Sequence, residues 1–380
     1  MIAYIRHIPP ARAGGRLARV YREIRADVPR VPNLIQAFSL RPETMAGLYR
    51  TWLASMWNGS VPRQTKEALA VTVSKAVNCD YCVDAHMVFL QALGVDRTSA
   101  NDIEQRLDQS EALSEPERVA VQLGLSLTTG SRSFDDSLGR AFTEAWPDEE
   151  HRTELIAVIA GLNAVARMCN SLGVSLEIPV TVRRFGAGRQ GAISLLSRLA
   201  SAGMDFSTKE VKVRTPEENR AASDRLFVSQ LGFPQVPDGL SALEVCPEIF
   251  DVHLRLMEKA VAVVPRDRWM RTGLVVGRLT GCDYLVSNCG AWLRRRGEDP
   301  SRVIASSEGA NTVLSDAEKF CLRFVRDLTL YSHTIDKTRI DELRMVGMSD
   351  GAILDLAFVG GVFNGVSCLI TALGHRTASS

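Results

Sequence analysis

Glu67-Ala-Leu-Ala-Val-Thr-Val-Ser-Lys-Ala-Val-Asn78-Cys79-Asp80-Tyr81-Cys82-Val-Asp-Ala-His86 is the stretch from which the rest of the chain is read. Its first half carries Ala68, Leu69, Val71, Thr72, Ala76 and Val77 with little polar surface, which predicts a buried helix over 62–77. Asn78 breaks that helix and is placed to cap a second one over 79–93, closed by Gly94. Cys79 and Cys82 then share the first turn, and His86 lies one turn beyond Cys82 on the same face. Glu67 reaches them if the two helices fold back as a hairpin. A near copy follows later in the chain: Gly281-Cys282-Asp283-Tyr284-Leu285-Val286-Ser287-Asn288-Cys289. There Leu285 replaces Cys82, Cys289 replaces His86 and Met270 replaces Glu67.

Outward from this stretch the repetition continues at a spacing of about 200 residues. Val31-Pro32 and Pro42 return as Val236-Pro237 and Pro247, and Val61-Pro62-Arg63 as Val264-Pro265-Arg266. Leu113-Ser114, Asn163 and Gly173 return as Leu314-Ser315, Asn364 and Gly374. Helical periodicity dominates and no period-two segment recurs, so the expected fold class is all-α, built of two tandem helical bundle units. Residues 1–175 form the first unit, 176–225 a charged and glycine-containing connection, and 226–380 a second unit without the reactive residues. Residues 1–16 read as an arm or a strap onto a neighbour.

The 380 residues and 46% hydrophobic content suit about two domains. With 45 basic against 44 acidic side chains the net charge is +1, which gives no long-range attraction for nucleic acid. Arg294-Arg295-Arg296 reads as a solvated helix end. The sequence offers neither a leader's apolar core nor an uninterrupted apolar run of bilayer length, so a soluble, cytoplasmic protein is expected. In a reducing compartment a Cys-x-x-Cys pair signals redox or metal chemistry rather than a structural disulfide.

A helix start favours a thiolate, because its free N–H groups and dipole face the sulfur. Glu67, in an apolar setting, is expected to hold its proton more tightly than usual and so to suit a general base. Three readings stay open on these residues. Cys79 and Cys82 are a redox pair; or Cys79, Cys82, His86 and Glu67 complete a tetrahedral zinc site; or the cysteines are small buried residues. Tyr81 reads as a packing, hydrogen-bonding or substrate-contacting residue. Cys169, Cys246, Cys321 and Cys368 read as buried hydrophobes, and Cys282 and Cys289 lie too far apart along one helix to bond. Trp52 and Trp57 can shape a pocket beside the site.

Glutamate, eleven residues, Cys-x-x-Cys, three residues, histidine: this pattern resembles the alkylhydroperoxidase D-like proteins of the carboxymuconolactone decarboxylase superfamily. The likeness covers most of the chain, twice, the second copy being degenerate. Leu113-Ser-Glu-Pro-Glu-Arg118 after the site is similar to the peroxidase-related members. The resemblance implies that Cys82 attacks a peroxide and becomes a sulfenic acid, which Cys79 resolves into a disulfide. Glu67 and His86 would relay the proton. No cofactor would be bound, a lipoyl- or thioredoxin-type dithiol would reset the pair, and the chain would form homo-oligomers. Tyr81 stands where the well-known peroxidases carry a histidine. The superfamily also implies an alternative, a cofactor-free acid–base enzyme acting on a small organic acid through Glu67 and His86. A metal-stabilised or purely structural assembly protein is the non-enzymatic alternative.

Overall fold

The computed structural model describes residues 2–28, 30–129, 136–177, 188–310 and 312–377. Among the described residues the chain is helical, and its one extended pairing is a single antiparallel bridge between Ile2 and Val174. Helices α1 (Gly15–Asp27), α2 (Asn33–Ala37) and α3 (Pro42–Trp52) lead to α4 (Arg63–Ala76) and α5 (Asp80–Ala92). Then come α6 (Arg97–Arg106), α7 (Glu115–Thr129), α8 (Asp136–Ala145) and α9 (Glu149–Leu172). Helices α10 (Arg189–Gly203) and α11 (Pro216–Asp224) follow, then α12 (Asp238–Ser241) and α13 (Pro247–Val263). The chain ends with α14 (Arg266–Thr280), α15 (Asp283–Arg295), α16 (Pro300–Ser307), α17 (Asp316–Tyr331), α18 (Lys337–Met345) and α19 (Asp350–Thr377).

The order α3–α4–α5–α6–α7–α9 recurs as α13–α14–α15–α16–α17–α19. Pro42 and Pro247 both occupy the first turn of their helices, where a missing N–H costs nothing. Asn163 on α9 donates to Thr128 Oγ1 at 3.1 Å and to Ile159 O at 3.0 Å. Asn364 on α19 makes the matching pair of bonds, to Thr329 Oγ1 at 3.2 Å and Gly360 O at 2.8 Å.

Helices α9 and α19 are long and apolar enough to span a bilayer by composition, yet 83% and 89% of their apolar windows are buried inside the molecule. They pack on each other through small residues. A Cβ at Gly365 would lie 2.8 Å from the Ala160 carbonyl oxygen, and one at Gly361 2.7 Å from Met168. Only a residue without a side chain allows that approach.

Two segments add to the expectations. The N-terminal arm is tied to the chain itself: Arg344 donates to Tyr4 O at 2.6 Å, and Tyr21 Oη to Ile8 O at 2.6 Å. Within the expected connection, residues 189–203 form α10, which packs on α5 through Arg189 to Asp84 at 2.6 Å. Part of the expected connection, residues 178–187, lies outside the described residues.

Substituting Gly365 by Ala is expected to destabilise the protein by about 1–3 kcal/mol through overpacking against the Ala160 carbonyl. A Cβ at helical Gly290 meets only ordinary contacts at 3.8 Å, so Gly290→Ala should be neutral or stabilising by up to about 1 kcal/mol. Denaturant midpoints of the two variants check this contrast.

Candidate functional site

Asn78 takes the left-handed conformation, with φ at 55°, and so turns the chain sharply between α4 and α5. Asparagine tolerates that region better than most side chains. It does not cap α5, contrary to expectation. The cap is Cys79, whose Sγ accepts the Cys82 backbone N–H at 3.4 Å. The sulfurs of Cys79 and Cys82 are 2.9 Å apart.

Glu67 is fully buried on α4. Its Oε1 accepts from Arg63 Nε at 2.6 Å, and its Oε2 lies 2.6 Å from His86 Nδ1. The Arg63 guanidinium sits over the Trp57 ring, 4.1 Å from its centroid. Glu67 is not the proton-retaining base expected. Burial raises its proton affinity, but Arg63 and His86, by charge and hydrogen bond, more than offset this and hold it below its ordinary 4.5. The hairpin of α4 and α5 therefore forms as predicted and brings Glu67 to His86, with Arg63 as a third member.

A third thiol completes the sulfur group. Cys169, read from sequence as a buried hydrophobe, lies on α9 with its Sγ within 4.8 Å of those of Cys79 and Cys82. The three share a small apolar cluster with Val77, Tyr81, Ala166 and Leu176, apart from the main core. Burial raises the Cys79 thiol, yet hydrogen bonds from Cys169 and Cys82 and the charge of His86 hold it well below its ordinary 9.0. Burial pushes Cys82 and Cys169 well above that value, because each gives its hydrogen to the negative sulfur beside it or faces its charge. Of the three thiols, Cys79 is the one held more acidic than usual. These three sulfurs are also the donor set that could hold a thiophilic ion; Glu67 and His86, proposed zinc ligands from the sequence, do not join it. No spacing in the sequence points from Cys169 to Cys82.

Beside the sulfurs opens a cavity of about 530 Å³. Cys82, His86 and Tyr81 face it, whereas Cys79 and Cys169 do not. Its walls are mainly apolar and come from both halves: Trp52 and Phe89 from the first, Leu196 from α10, Leu256 and Val362 from the second. Tyr81 Oη accepts from the Leu34 N–H at 3.4 Å. Ser55, in a π-helical turn over Leu53–Trp57, and His253 on α13 also line it. Ser55 Oγ and His253 Nε2 are buried without a hydrogen-bond partner among the described residues. Burial alone lowers the His253 imidazole to about 4, so it is neutral near pH 7. The matching region of the second half is filled. Met270, Leu285 and Cys289 are buried, the Trp269 and Phe363 rings stand 4.5 Å apart, and about 10 Å³ of space remains.

Residues 42–114 match the sequence profile of the carboxymuconolactone decarboxylase family. Over 99 residues the chain is 35% identical to an alkyl hydroperoxide reductase of Mycobacterium tuberculosis. That stretch is 26% of this chain and 29% of the relative, so less than a third of that protein is matched. Among solved structures, the alkylhydroperoxidase core of an uncharacterized peroxidase-related protein from Ralstonia eutropha JMP134 gives a TM-score of 0.43 at 20% identity. It covers 47% of this chain and 93% of its own. The debrominase Bmp8 in complex with 2,3,4-tribromopyrrole gives 0.41 at 18% identity, covering 52% of this chain and 98% of its own.

Since Glu67 is held below its ordinary 4.5, the unfolded chain takes up that proton first on acidification. Its contribution to stability is full above about pH 4.5 and is lost as the pH falls through the lower folded value. Glu67→Gln should therefore cost about 3 kcal/mol at pH 7 and much less at pH 3, because it breaks a buried pair only where the carboxylate is ionised. Urea unfolding of both proteins across this range measures the difference.

Proposed function

We propose that this member of the carboxymuconolactone decarboxylase superfamily is a thiol-dependent peroxidase that reduces bulky apolar organic hydroperoxides through Cys82 and Cys79. The observation that carries this reading is the division of labour between the two sulfurs. Cys82 faces an apolar cavity of about 530 Å³, while Cys79 lies behind it, 2.9 Å from its sulfur and held more acidic than usual. The hydroperoxide reductase named among the relatives, and the family profile over 42–114, agree with it at the level of the family.

The chemistry starts with proton transfer from Cys82 to Cys79 across their 2.9 Å contact. The Cys82 thiolate attacks the distal peroxide oxygen, the O–O bond breaks, and the alkoxide leaves as an alcohol. His86, on the same wall, supplies that proton and is steadied through Nδ1 by Glu67. Cys79 then attacks the Cys82 sulfenic acid, water leaves, and the pair ends as a disulfide. One peroxide and two thiols become one alcohol, one water and one disulfide. An external dithiol of lipoyl or thioredoxin type returns the two electrons.

An apolar wall strips water from the reacting sulfur and favours an organic peroxide over hydrogen peroxide. Ser55 Oγ and neutral His253 Nε2 would meet an uncharged hydrogen-bonding group on such a substrate. The acid–base alternative on a small organic acid is weakened by Arg63, which pins the carboxylate that would have to act as base.

Cys82→Ser should lower peroxide turnover by at least about a hundredfold, and cumene hydroperoxide should exceed hydrogen peroxide in kcat/KM by about tenfold or more. A coupled assay with a lipoyl dithiol reads both. Undiminished turnover in Cys82→Ser would sink the proposal.

A further inference from the structure

The mechanism above uses two of the three sulfurs. We propose that Cys169 is a second resolving thiol, able to close a disulfide with the Cys82 sulfenic acid when Cys79 is absent or already consumed. The inference rests on the reading of Cys82 as the peroxide-attacking thiol, and it adds a residue that the sequence pattern does not contain.

Geometry carries it. The Cys169 sulfur lies within 4.8 Å of both others, so side-chain rotation and a small shift of α9 against α5 suffice to reach bonding distance. The position is fixed rather than incidental. Asn170, the next residue, donates to Val77 O at 3.2 Å, Asn78 O at 3.4 Å and Ser332 Oγ at 3.0 Å. The last turn of α9 is thereby tied to the turn that presents Cys79. The cluster around the sulfurs is apolar, and the only other polar atom among its seven buried members is the Tyr81 hydroxyl, bonded to the Leu34 N–H. Apart from Cys79, no member of the cluster competes for the sulfenic sulfur.

Cys169 is fully buried and does not face the cavity. A peroxide therefore meets Cys82 first, and Cys169 reacts only with an oxidised neighbour. The step balances without another reagent. The Cys169 sulfur attacks the Cys82 sulfenic sulfur, the S–O bond breaks, and hydroxide leaves with the thiol proton as water. The product is a Cys82–Cys169 disulfide, at the same oxidation level as Cys79–Cys82, and the same external dithiol reduces it. In wild type, Cys79 answers first, because its sulfur already stands 2.9 Å from that of Cys82. Cys169 then guards Cys82 against further oxidation to sulfinic acid when peroxide is in excess.

The test uses the full chain, chelator-treated and reduced, with one equivalent of cumene hydroperoxide, followed by alkylation and disulfide mapping. Cys79→Ser should lose two thiols and yield a Cys82–Cys169 link. Cys79→Ser/Cys169→Ala should instead accumulate Cys82 sulfenic acid, trapped by dimedone in roughly tenfold larger yield than in the single variant. If Cys79→Ser loses its helical circular dichroism, Cys79→Ala carries the same readout. A Cys79 variant that keeps Cys169 alkylatable while Cys82 goes to sulfenic or sulfinic acid overturns the inference alone. Wild type that loses no thiols overturns the peroxidase reading beneath it.

Discussion

A helix buried on nearly every side must find a partner inside the molecule for each polar atom it carries, and α9 is such a helix. Its polar side chains act as pins. Glu154 accepts the Ser60 N–H at 2.7 Å and the Val61 N–H at 3.0 Å and pairs with buried Lys66 at 2.9 Å, which fixes the start of α4. Among the described residues Arg167 pairs with no carboxylate. It donates to the carbonyls of Thr128 at 3.2 Å and Thr329 at 3.0 Å, one from each half of the chain, and burial lowers its pKa to about 10. Asn170 pins the Cys79 turn and Ser332 together. The same helix lines the cavity and carries Cys169, so the site's precision depends on a satisfied core.

The electrostatics of the site follow from where its charges are allowed to stay. A buried carboxylate persists only where it is paired and hydrogen-bonded, and Glu67 has the Arg63 guanidinium one turn away on α4 and the His86 Nδ1 across the hairpin. The aromatic rings of Trp52, Trp57 and Phe89 flank that guanidinium and close it from water. Against the effect of burial, hydrogen bonds from the Cys169 and Cys82 thiols and then from the Cys82 N–H, at the first turn of α5, hold Cys79 more acidic than usual. The sulfur that meets the cavity, Cys82, is by contrast pushed well above its ordinary value by burial and by the thiols beside it.

Local features were legible in the sequence because local physics decides them. The buried α4, the cysteines at the start of α5, the histidine on the same face and the repeated element order all follow from spacing and propensity. Glu67's partner was within reach of the same reasoning, since Arg63 stands at i−4 on one helix, but apolar neighbours suggested a raised proton affinity instead. Asn78 lost the cap to a sulfur because its backbone was needed for a left-handed turn. Cys169, Ser55 and His253 were not legible. Each acquires its meaning from a cluster or cavity assembled by segments far apart in the sequence, and one buried cysteine among several looks like any other.

The second half explains itself through the same cavity. The region around its own Cys282 turn is filled by Met270, Leu285, Cys289, Trp269 and Phe363, apolar side chains that leave no comparable space. Yet His253, Leu256 and Val362 from that half face the cavity of the first. A hydrophobic wall needs no reactive group, only shape and dryness. The second half therefore need not be a relic: it supplies part of the wall that faces Cys82. Gly361 and Gly365 let α19 approach α9 closely enough for that wall to meet the sulfur-bearing side.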